Sequence, residues 1–233
     1  MISVTVPTPQ GDMQAYVATP SGEGPWPGVV VVHDALGMSR DVRNQADWLA
    51  GAGYLAVVPD LYRGGRKLTC FMRFIRDASQ PLGDIDATRD WLAGRADCTG
   101  TVGVIGYCMG GGFALMLAPG HNFAAASVNY GVVPKDAERA LAGACPVVGS
   151  YGERDFGLRG AAAKLSGALA ANGIPHDVKE YPGATHGFLN DHDPADIPAL
   201  AKPLLKLTGM RYHDPSAQDA RRRILEFFAA HLR

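Results

Sequence analysis

The sequence has almost no net charge and no long apolar run. Lys plus Arg number 22 and Asp plus Glu number 23 among 233 residues, a formal net charge of −1. No excess charge of either sign is therefore available to bind nucleic acid or anionic lipid. No apolar stretch approaches the roughly 20 residues that span a bilayer. We expect neither a nucleic-acid partner nor a membrane-inserted segment. A composition with 47% hydrophobic and 19% charged residues also excludes global disorder.

Cysteine is scarce and unpaired in sequence. The four cysteines stand at positions 70, 98, 108 and 145. Without a C-x-x-C pair they predict neither a zinc site nor a disulfide framework. Residues 1–7 alternate like a strand and lack the basic and apolar regions of a secretory signal, so cytoplasmic residence is the expectation. The glycines at 103, 106, 110, 111 and 112 do not fit G-x-G-x-x-G, which argues against a dinucleotide site.

The pattern of apolar residues predicts one large α/β domain over residues 1–233. Short β-branched runs without polar alternation are typical of parallel strands covered by helices on both faces. They occur at 28–32, 54–58 and 102–105. Two alternating segments, at 2–7 and 13–19, predict an antiparallel edge hairpin. Further strands are expected at 125–130, 145–151 and 176–181. The fold class is therefore α/β, with a mostly parallel central sheet.

Helical patterns separate these strands. One follows a capping Ser39, another follows the break at residues 81–83, and two more lie near 157–172 and 215–232. In the last helix, residues 221–223 read Arg-Arg-Arg, which we interpret as a solvated edge rather than a binding patch. Residues 63–81 and 190–214 fall outside the alternation and are expected to be loops over a site.

The most informative segment is G-Y-C-M-G-G-G at residues 106–112, between a predicted strand and a predicted helix. A nucleophile on a sharp strand-to-helix turn needs neighbours without a Cβ, and Gly106 and Gly110 meet that need. The helix N-terminus would favour both a thiolate and a developing oxyanion. Cys108 is therefore the candidate nucleophile. The alternative is a buried cysteine beside glycines that allow close helix packing.

A thiol nucleophile needs a base and an orienting acid, which follow it in the order acid, then histidine. Asp155 follows the predicted strand 145–151, and His186 follows the predicted strand 176–181. Both lie at carboxyl ends of strands, where open α/β sheets place their sites. Glu153 is the competing acid, and we favour Asp155. The other histidines, at 33, 121, 176, 192, 213 and 231, are interpreted as surface or packing residues.

The segment H-D-A-L-G at residues 33–37 follows the strand 28–32. An α/β-hydrolase takes its second oxyanion donor from this place, so the donors would be the backbone amides of Ala35 and Met109. The Asp34 carboxylate could reach the Cys108 thiol and hold it at rest. It could equally stabilise the turn before the following helix.

With these residues in place, the chain resembles the dienelactone hydrolase family of α/β-hydrolases. The resemblance covers nearly the whole chain. It rests on the elbow at 106–111, V-P-D-L-Y at 58–62, G-D-I at 83–85 and H-G-F at 186–188. It implies a mixed, mostly parallel sheet of about eight strands with helices on both faces, and hydrolysis of esters and lactones. It also implies that Cys108 is the nucleophile, His186 the base and Asp155 its partner.

Two departures from the family concern control of the thiol and substrate binding. The founding enzymes have a glutamate at the place of Asp34, where it hydrogen-bonds the thiol, and an arginine at the place of Asn190, which helps bind the substrate carboxylate. The companion arginine comes from a loop that is short here. Three candidates stand nearby: Arg66, Arg73 and Arg76. Recognition of a carboxylate is therefore not inherited, and a less charged ester or lactone is expected.

Two functions remain open on the sequence. The first is a thiol-dependent ester or lactone hydrolase without metal or organic cofactor, acting on a small molecule. The second is a non-catalytic α/β-hydrolase-like protein that binds a small molecule, since such folds host both. The complete order of nucleophile, acid and histidine favours the first.

Overall fold

The computed structural model describes residues 2–65, 67–193, 195–197 and 211–233. Eight strands form one sheet in the order β1-β2-β4-β3-β5-β6-β7-β8. Their bounds are β1 Ile2–Val6, β2 Met13–Ala18, β3 Trp26–Val32, β4 Leu55–Pro59, β5 Cys98–Tyr107, β6 Ala126–Asn129, β7 Val147–Gly152 and β8 His176–Tyr181. The pairs β1–β2 and β2–β4 are antiparallel and the remaining pairs are parallel. The predicted edge hairpin and mostly parallel sheet are confirmed.

Seven helices are present in the described part of the chain. They are α1 Arg40–Gly51, α2 Lys67–Arg76, α3 Ser79–Ala93, α4 Met109–Leu117, α5 Ala137–Ala140, α6 Ala161–Ala171 and α7 Asp214–Leu232. None of these described helices is long and apolar enough to cross a membrane. Ser39 caps α1 by accepting a hydrogen bond from the Val42 amide, as the sequence predicts.

The sheet has a separate apolar core on each face. Alternate valines of β3 divide between them: Val30 and Val32 pack with α3, α4 and α6, whereas Val29 and Val31 pack with α1 and α7. All four side chains are fully buried. A strand buried on both faces reads as a continuous apolar run, which explains why the sequence pattern located β3 correctly.

The chain path reverses at β3, which has β4 on one side and β5 on the other. Ligand sites of open α/β sheets lie beyond the carboxyl ends of the strands at such a switch point. The turns that leave β3 and β5 contain residues 33–37 and Cys108. The topology therefore brings these two segments together.

Residues 63–81 do not form the loop that we expected. Most of the segment is helical, with α2 at Lys67–Arg76 and α3 beginning at Ser79. Cys70 and Phe74, one helical turn apart, are both buried in the core. Pro81 does not break α3, because it lies in the first turn, where amides have no intrahelical acceptor. Position 66, position 194 and residues 198–210 lie outside the described residues, so much of the second expected loop does too.

The arginine run at 221–223 is not a uniformly solvated edge. Arg223 is buried. Its Nη2 lies 2.6 Å from Asp177 Oδ1, and its Nη1 donates to the Tyr181 hydroxyl at 2.9 Å. The residue lies next to the buried Ile224 of α7, and both of its partners belong to β8. An arginine beside an apolar face can be buried when its guanidinium finds a carboxylate partner.

Candidate active site

Three turns at the carboxyl edge of the sheet bring Cys108, Asp155 and His186 together. Cys108 lies between β5 and α4. Asp155 lies three residues beyond β7 and caps a short 3₁₀ turn, and His186 lies five residues beyond β8. Because β5 and β7 are separated only by β6, parallel geometry places these turns along one edge.

Cys108 occupies a strained backbone conformation at φ 55° and ψ −114°. A Cβ on Gly106 would lie 1.9 Å from the Gly110 carbonyl oxygen, and a Cβ on Gly110 would lie 2.3 Å from the Val32 carbonyl oxygen. Neither glycine can therefore be replaced without moving backbone. This is the sharp turn that the G-x-C-x-G pattern predicts.

Asp155 contacts His186 directly, whereas Glu153 does not. The Nδ1 of His186 lies 2.6 Å from Asp155 Oδ2. Asp155 is only 6% exposed, and its Oδ1 also accepts a hydrogen bond from the Gly157 amide at 3.2 Å. Glu153 is exposed, and its Oε2 accepts a hydrogen bond from the Gly183 amide at 2.9 Å. Of the two candidate acids, only Asp155 therefore contacts His186.

The Cys108 side chain also lies beside His186 and interacts with it. Burial by itself lowers the pKa of His186, but the hydrogen bonds to Asp155 and Cys108 outweigh it and raise the pKa to about 10. The ring of Tyr130 packs edge-on against the imidazole with 5.1 Å between centroids. The imidazole is therefore held by a carboxylate on one nitrogen, by the thiol and by an aromatic edge.

Cys108 and His186 open onto a cavity of about 510 Å³. Its other lining residues are Asp34, Ala35, Leu36, Gly187, Asn190, Asp191, His192, Ile197, Arg211 and Tyr212. Met109 is the first residue of α4, and amides of a first helical turn have no intrahelical acceptor. The Ala35 carbonyl accepts a hydrogen bond from the Tyr62 hydroxyl at 3.1 Å, which holds the Ala35–Leu36 peptide next to the Ala35 amide. The assignment of the Ala35 and Met109 amides as oxyanion donors stays a prediction.

Asp34 is not engaged with the thiol. Its Oδ1 accepts a hydrogen bond from the Leu36 amide at 2.8 Å, and its Oδ2 lies 3.0 Å from Nε2 of His192. Both carboxylate oxygens thus have partners other than Cys108. The first contact is the turn-stabilising alternative left open by the sequence. The second contact was not predicted, because we interpreted His192 as a surface or packing residue.

Asn190 borders the cavity, but its amide has internal partners. The side chain is buried. Its Oδ1 accepts from the Tyr130 hydroxyl and its Nδ2 donates to Asp41 Oδ2. Burial raises the pKa of Asp41, against the opposing effect of the Asn190 hydrogen bond. Asn190 thus links the Tyr130 ring that touches His186 to a buried carboxylate of α1.

None of the three arginines proposed as carboxylate anchors is a described lining residue of the cavity. Arg73 and Arg76 are exposed on α2, and Arg66 lies outside the described residues. The cavity is also lined by His192, Arg211 and Tyr212, which we did not predict as site residues. All three fall in the 190–214 segment that we expected to cover the site, so their place in that segment was the available signal.

Comparison with known proteins supports a single relationship. A model of the dienelactone hydrolase family matches residues 13–232. The carboxymethylenebutenolidase of Rhodococcus opacus is 27% identical over 244 residues, which cover 97% of this chain and 89% of that protein. A "Putative carboxymethylenebutenolidase" of Yersinia pestis is 29% identical over 97% of this chain and 87% of its own length.

A solved structure is similar along the whole chain. The "Putative Dienelactone Hydrolase" from Klebsiella pneumoniae has a TM-score of 0.82 and 28% sequence identity, and the match covers 99% of this chain and 98% of that one. The eight-stranded sheet with its flanking helices is thus the α/β-hydrolase fold expected from the sequence. Among the described residues, no group of three or more His, Cys, Asp or Glu side chains could hold a metal ion.

Proposed function

The chain belongs to the dienelactone hydrolase family of α/β-hydrolases, and on that premise we propose that it hydrolyses carboxylic esters or lactones through an acyl-enzyme on Cys108. Membership makes it a hydrolase, and the mechanism is our proposal. One observation carries it: His186 contacts Asp155 at 2.6 Å and also interacts with the Cys108 side chain. A nucleophile, a base and an orienting acid in this order are the requirement for nucleophilic acyl transfer.

Acylation begins from the contact between Cys108 and His186. Because Nδ1 of His186 faces Asp155, Nε2 is the nitrogen left for the thiol proton. The Cys108 sulfur then attacks the substrate carbonyl carbon, and the carbonyl oxygen becomes an oxyanion facing the Ala35 and Met109 amides. The C–O bond to the leaving group breaks as His186 returns the proton to the departing oxygen. A lactone opens in this step and stays attached as a hydroxyacyl thioester.

Deacylation uses the same imidazole as a base. Once the sulfur is in a thioester, His186 has lost the hydrogen-bonded thiol that helped to raise its pKa. It can therefore take a proton from water, which attacks the thioester carbon. Collapse of the second tetrahedral intermediate breaks the C–S bond and releases the carboxylic acid, and the proton on His186 returns to the Cys108 sulfur. Asp155 keeps the imidazole in one tautomer and stabilises its protonated form in both steps.

We also propose that the preferred substrate carries little charge. Asn190 stands where the resemblance expects an arginine, and its amide is taken up by Tyr130 and Asp41. A neutral amide cannot replace a charged, bidentate contact, which contributes about 1.5 to 3 kcal/mol. Arg211 is a cationic residue of the cavity that could reverse this preference. The variant Arg211→Gln therefore tests this preference.

The extent of the catalytic domain is part of the same proposal: residues 1–233 form one α/β-hydrolase domain. The family model covers residues 13–232. Strand β1 joins the same sheet through β2, and α7 packs on the core that β3 and β5 also line. An element near each end of the chain thus pairs with or packs on the same sheet.

The decisive experiment compares wild type with Cys108→Ala on aryl esters, lactones and thioesters. We expect loss of turnover in Cys108→Ala, and an acyl adduct on Cys108 by mass spectrometry when wild type is trapped with an activated ester. Cys145→Ala is the matched control, because burial raises the pKa of Cys145 to about 12 and makes that thiol unreactive. Full turnover in Cys108→Ala would refute the proposal, and binding without turnover in wild type would favour the non-catalytic alternative.

A further inference from the structure

We propose that His192 is a positioning residue for the thiol: it pairs with Asp34 and so cancels the carboxylate charge that would otherwise oppose ionisation of Cys108. This inference rests on the proposed function, in which the thiolate is the attacking group. It concerns a contact between the turn after β3 and the segment after His186, 158 positions apart in sequence.

The pair is direct and largely shielded from solvent. Nε2 of His192 lies 3.0 Å from Oδ2 of Asp34, and their side chains are 20% and 9% exposed. The Leu36 amide donates to the other carboxylate oxygen at 2.8 Å. Salt screens such a half-buried pair much less than a surface pair. Salt would therefore do little to screen the repulsion between an unpaired carboxylate at this position and another negative charge nearby.

Cys108 is one of those neighbours. Asp34, His192 and Cys108 line the same cavity. Burial is the largest effect that raises the pKa of the Tyr62 phenol, and the charges of Asp34 and Cys108 both add to it. The same two groups add to the burial effect that raises the pKa of Tyr130. Carboxylate and thiol thus act on the same two phenols, and a net charge on one opposes the same charge on the other.

The contact with Asp34 favours the protonated form of His192. Burial by itself lowers its pKa, but the hydrogen bond and charge of Asp34 raise the pKa above its ordinary value, with smaller contributions from Asp41 and Asp196. Among the described residues, the other ionisable groups around the same cavity are Cys108, His186, Asp191, Arg211 and Tyr212. An imidazolium beside Asp34 makes this pair neutral, so that the Asp34 charge no longer opposes ionisation of Cys108.

The backbone that carries His192 is anchored without it. Asp41 accepts from the Asp191 amide at 2.8 Å and also from the Asn190 side chain. Asp196 accepts from the Arg40 amide at 2.8 Å. These contacts tie the segment to the start of α1 on both sides of His192. Replacing the imidazole should therefore remove its charge and leave the segment in place.

The test measures how fast iodoacetamide alkylates Cys108 as a function of pH, in wild type, His192→Gln, Asp34→Asn and the double variant. Gln can still donate to Asp34 but has no charge. We expect His192→Gln to raise the midpoint of the alkylation curve by about one pH unit, a roughly tenfold slower reaction below the midpoint. Neither Asp34→Asn nor the double variant should have a midpoint above that of wild type, because the carboxylate is gone.

His121→Gln is the matched control. Its Nδ1 lies 2.7 Å from Asp86 Oδ2 in a His–Asp pair whose members do not line the cavity. A wild-type midpoint in a folded His192→Gln overturns the proposal, as does a double variant that keeps the shifted midpoint. His192→Asn carries the same expectation should the Gln variant fail to fold. Alkylation needs no substrate, so a protein that hydrolyses no ester would count against the proposed function and leave this test readable.

Discussion

Replacing Asp155 by Asn tests the acid of the proposed triad with the smallest change in shape. The carboxylate is 6% exposed and bridges the His186 imidazole and the Gly157 amide. If the Asn oxygen keeps the Gly157 amide, its NH₂ group faces Nδ1 of His186. That nitrogen must then accept, which moves the ring proton to Nε2, the nitrogen that has to receive the thiol proton.

The magnitude follows from the tautomer of His186. In serine triads, replacing the orienting Asp by Asn leaves the imidazole in the wrong tautomer and lowers kcat by about 10⁴. We therefore expect kcat for an activated aryl ester to fall by roughly 10² to 10⁴. Glu153→Gln should stay within about twofold of wild type, because Glu153 is exposed and contacts only the Gly183 amide at 2.9 Å.

The pH dependence of stability gives a second readout. Asp155 contributes to the raised pKa of His186, which is about 10 in the folded chain. A raised pKa stabilises the fold fully below the unfolded value of about 6.5 and loses that effect as pH rises through the folded value. Asp155→Asn should therefore destabilise more at about pH 6 than at about pH 10 in urea unfolding. An unchanged rate in Asp155→Asn, beside an inactive Glu153→Gln, would refute the assignment.

Three further predictions concern the turn, the substrate and the support of the base. Gly106→Ala should prevent folding or lower the free energy of unfolding in urea by more than about 4 kcal/mol, because its Cβ would lie 1.9 Å from the Gly110 oxygen. Gly112→Ala is the control and should fold normally, because its Cβ meets nothing closer than 3.8 Å. Wild type should prefer a neutral lactone to an anionic one of similar size by kcat/KM, and a strong anionic preference abolished by Arg211→Gln would contradict this. Tyr130→Phe should lower kcat about tenfold and the free energy of unfolding by about 1 to 2 kcal/mol. It leaves the buried Asn190 oxygen without this donor but keeps the ring against the imidazole. Wild-type kcat and stability in this variant would show that the hydroxyl is dispensable.

The sequence by itself determined the features that depend on local backbone and periodicity. Continuous apolar runs located the central strands, because a strand buried on both faces has no polar side. The elbow at Cys108 was readable because the glycine requirement at Gly106 and Gly110 is a steric property of one short turn. The order of acid and then histidine after the elbow made Asp155 and His186 the candidate acid and base, and in the structure these two residues are in contact.

Only the tertiary structure decided the partners of polar side chains from distant segments. Asp34 could have faced the thiol or its own turn, and packing of the segment after His186 placed His192 against it at 3.0 Å. The sequence shows only that Asn190 stands at the place of an arginine, whereas in the structure its buried amide bonds Tyr130 and Asp41. The arginine run predicts a solvated edge, whereas the structure pairs Arg223 with Asp177 of β8. Such contacts carry no sequence period, because they depend on which elements pack together and which buried donors and acceptors must then be satisfied.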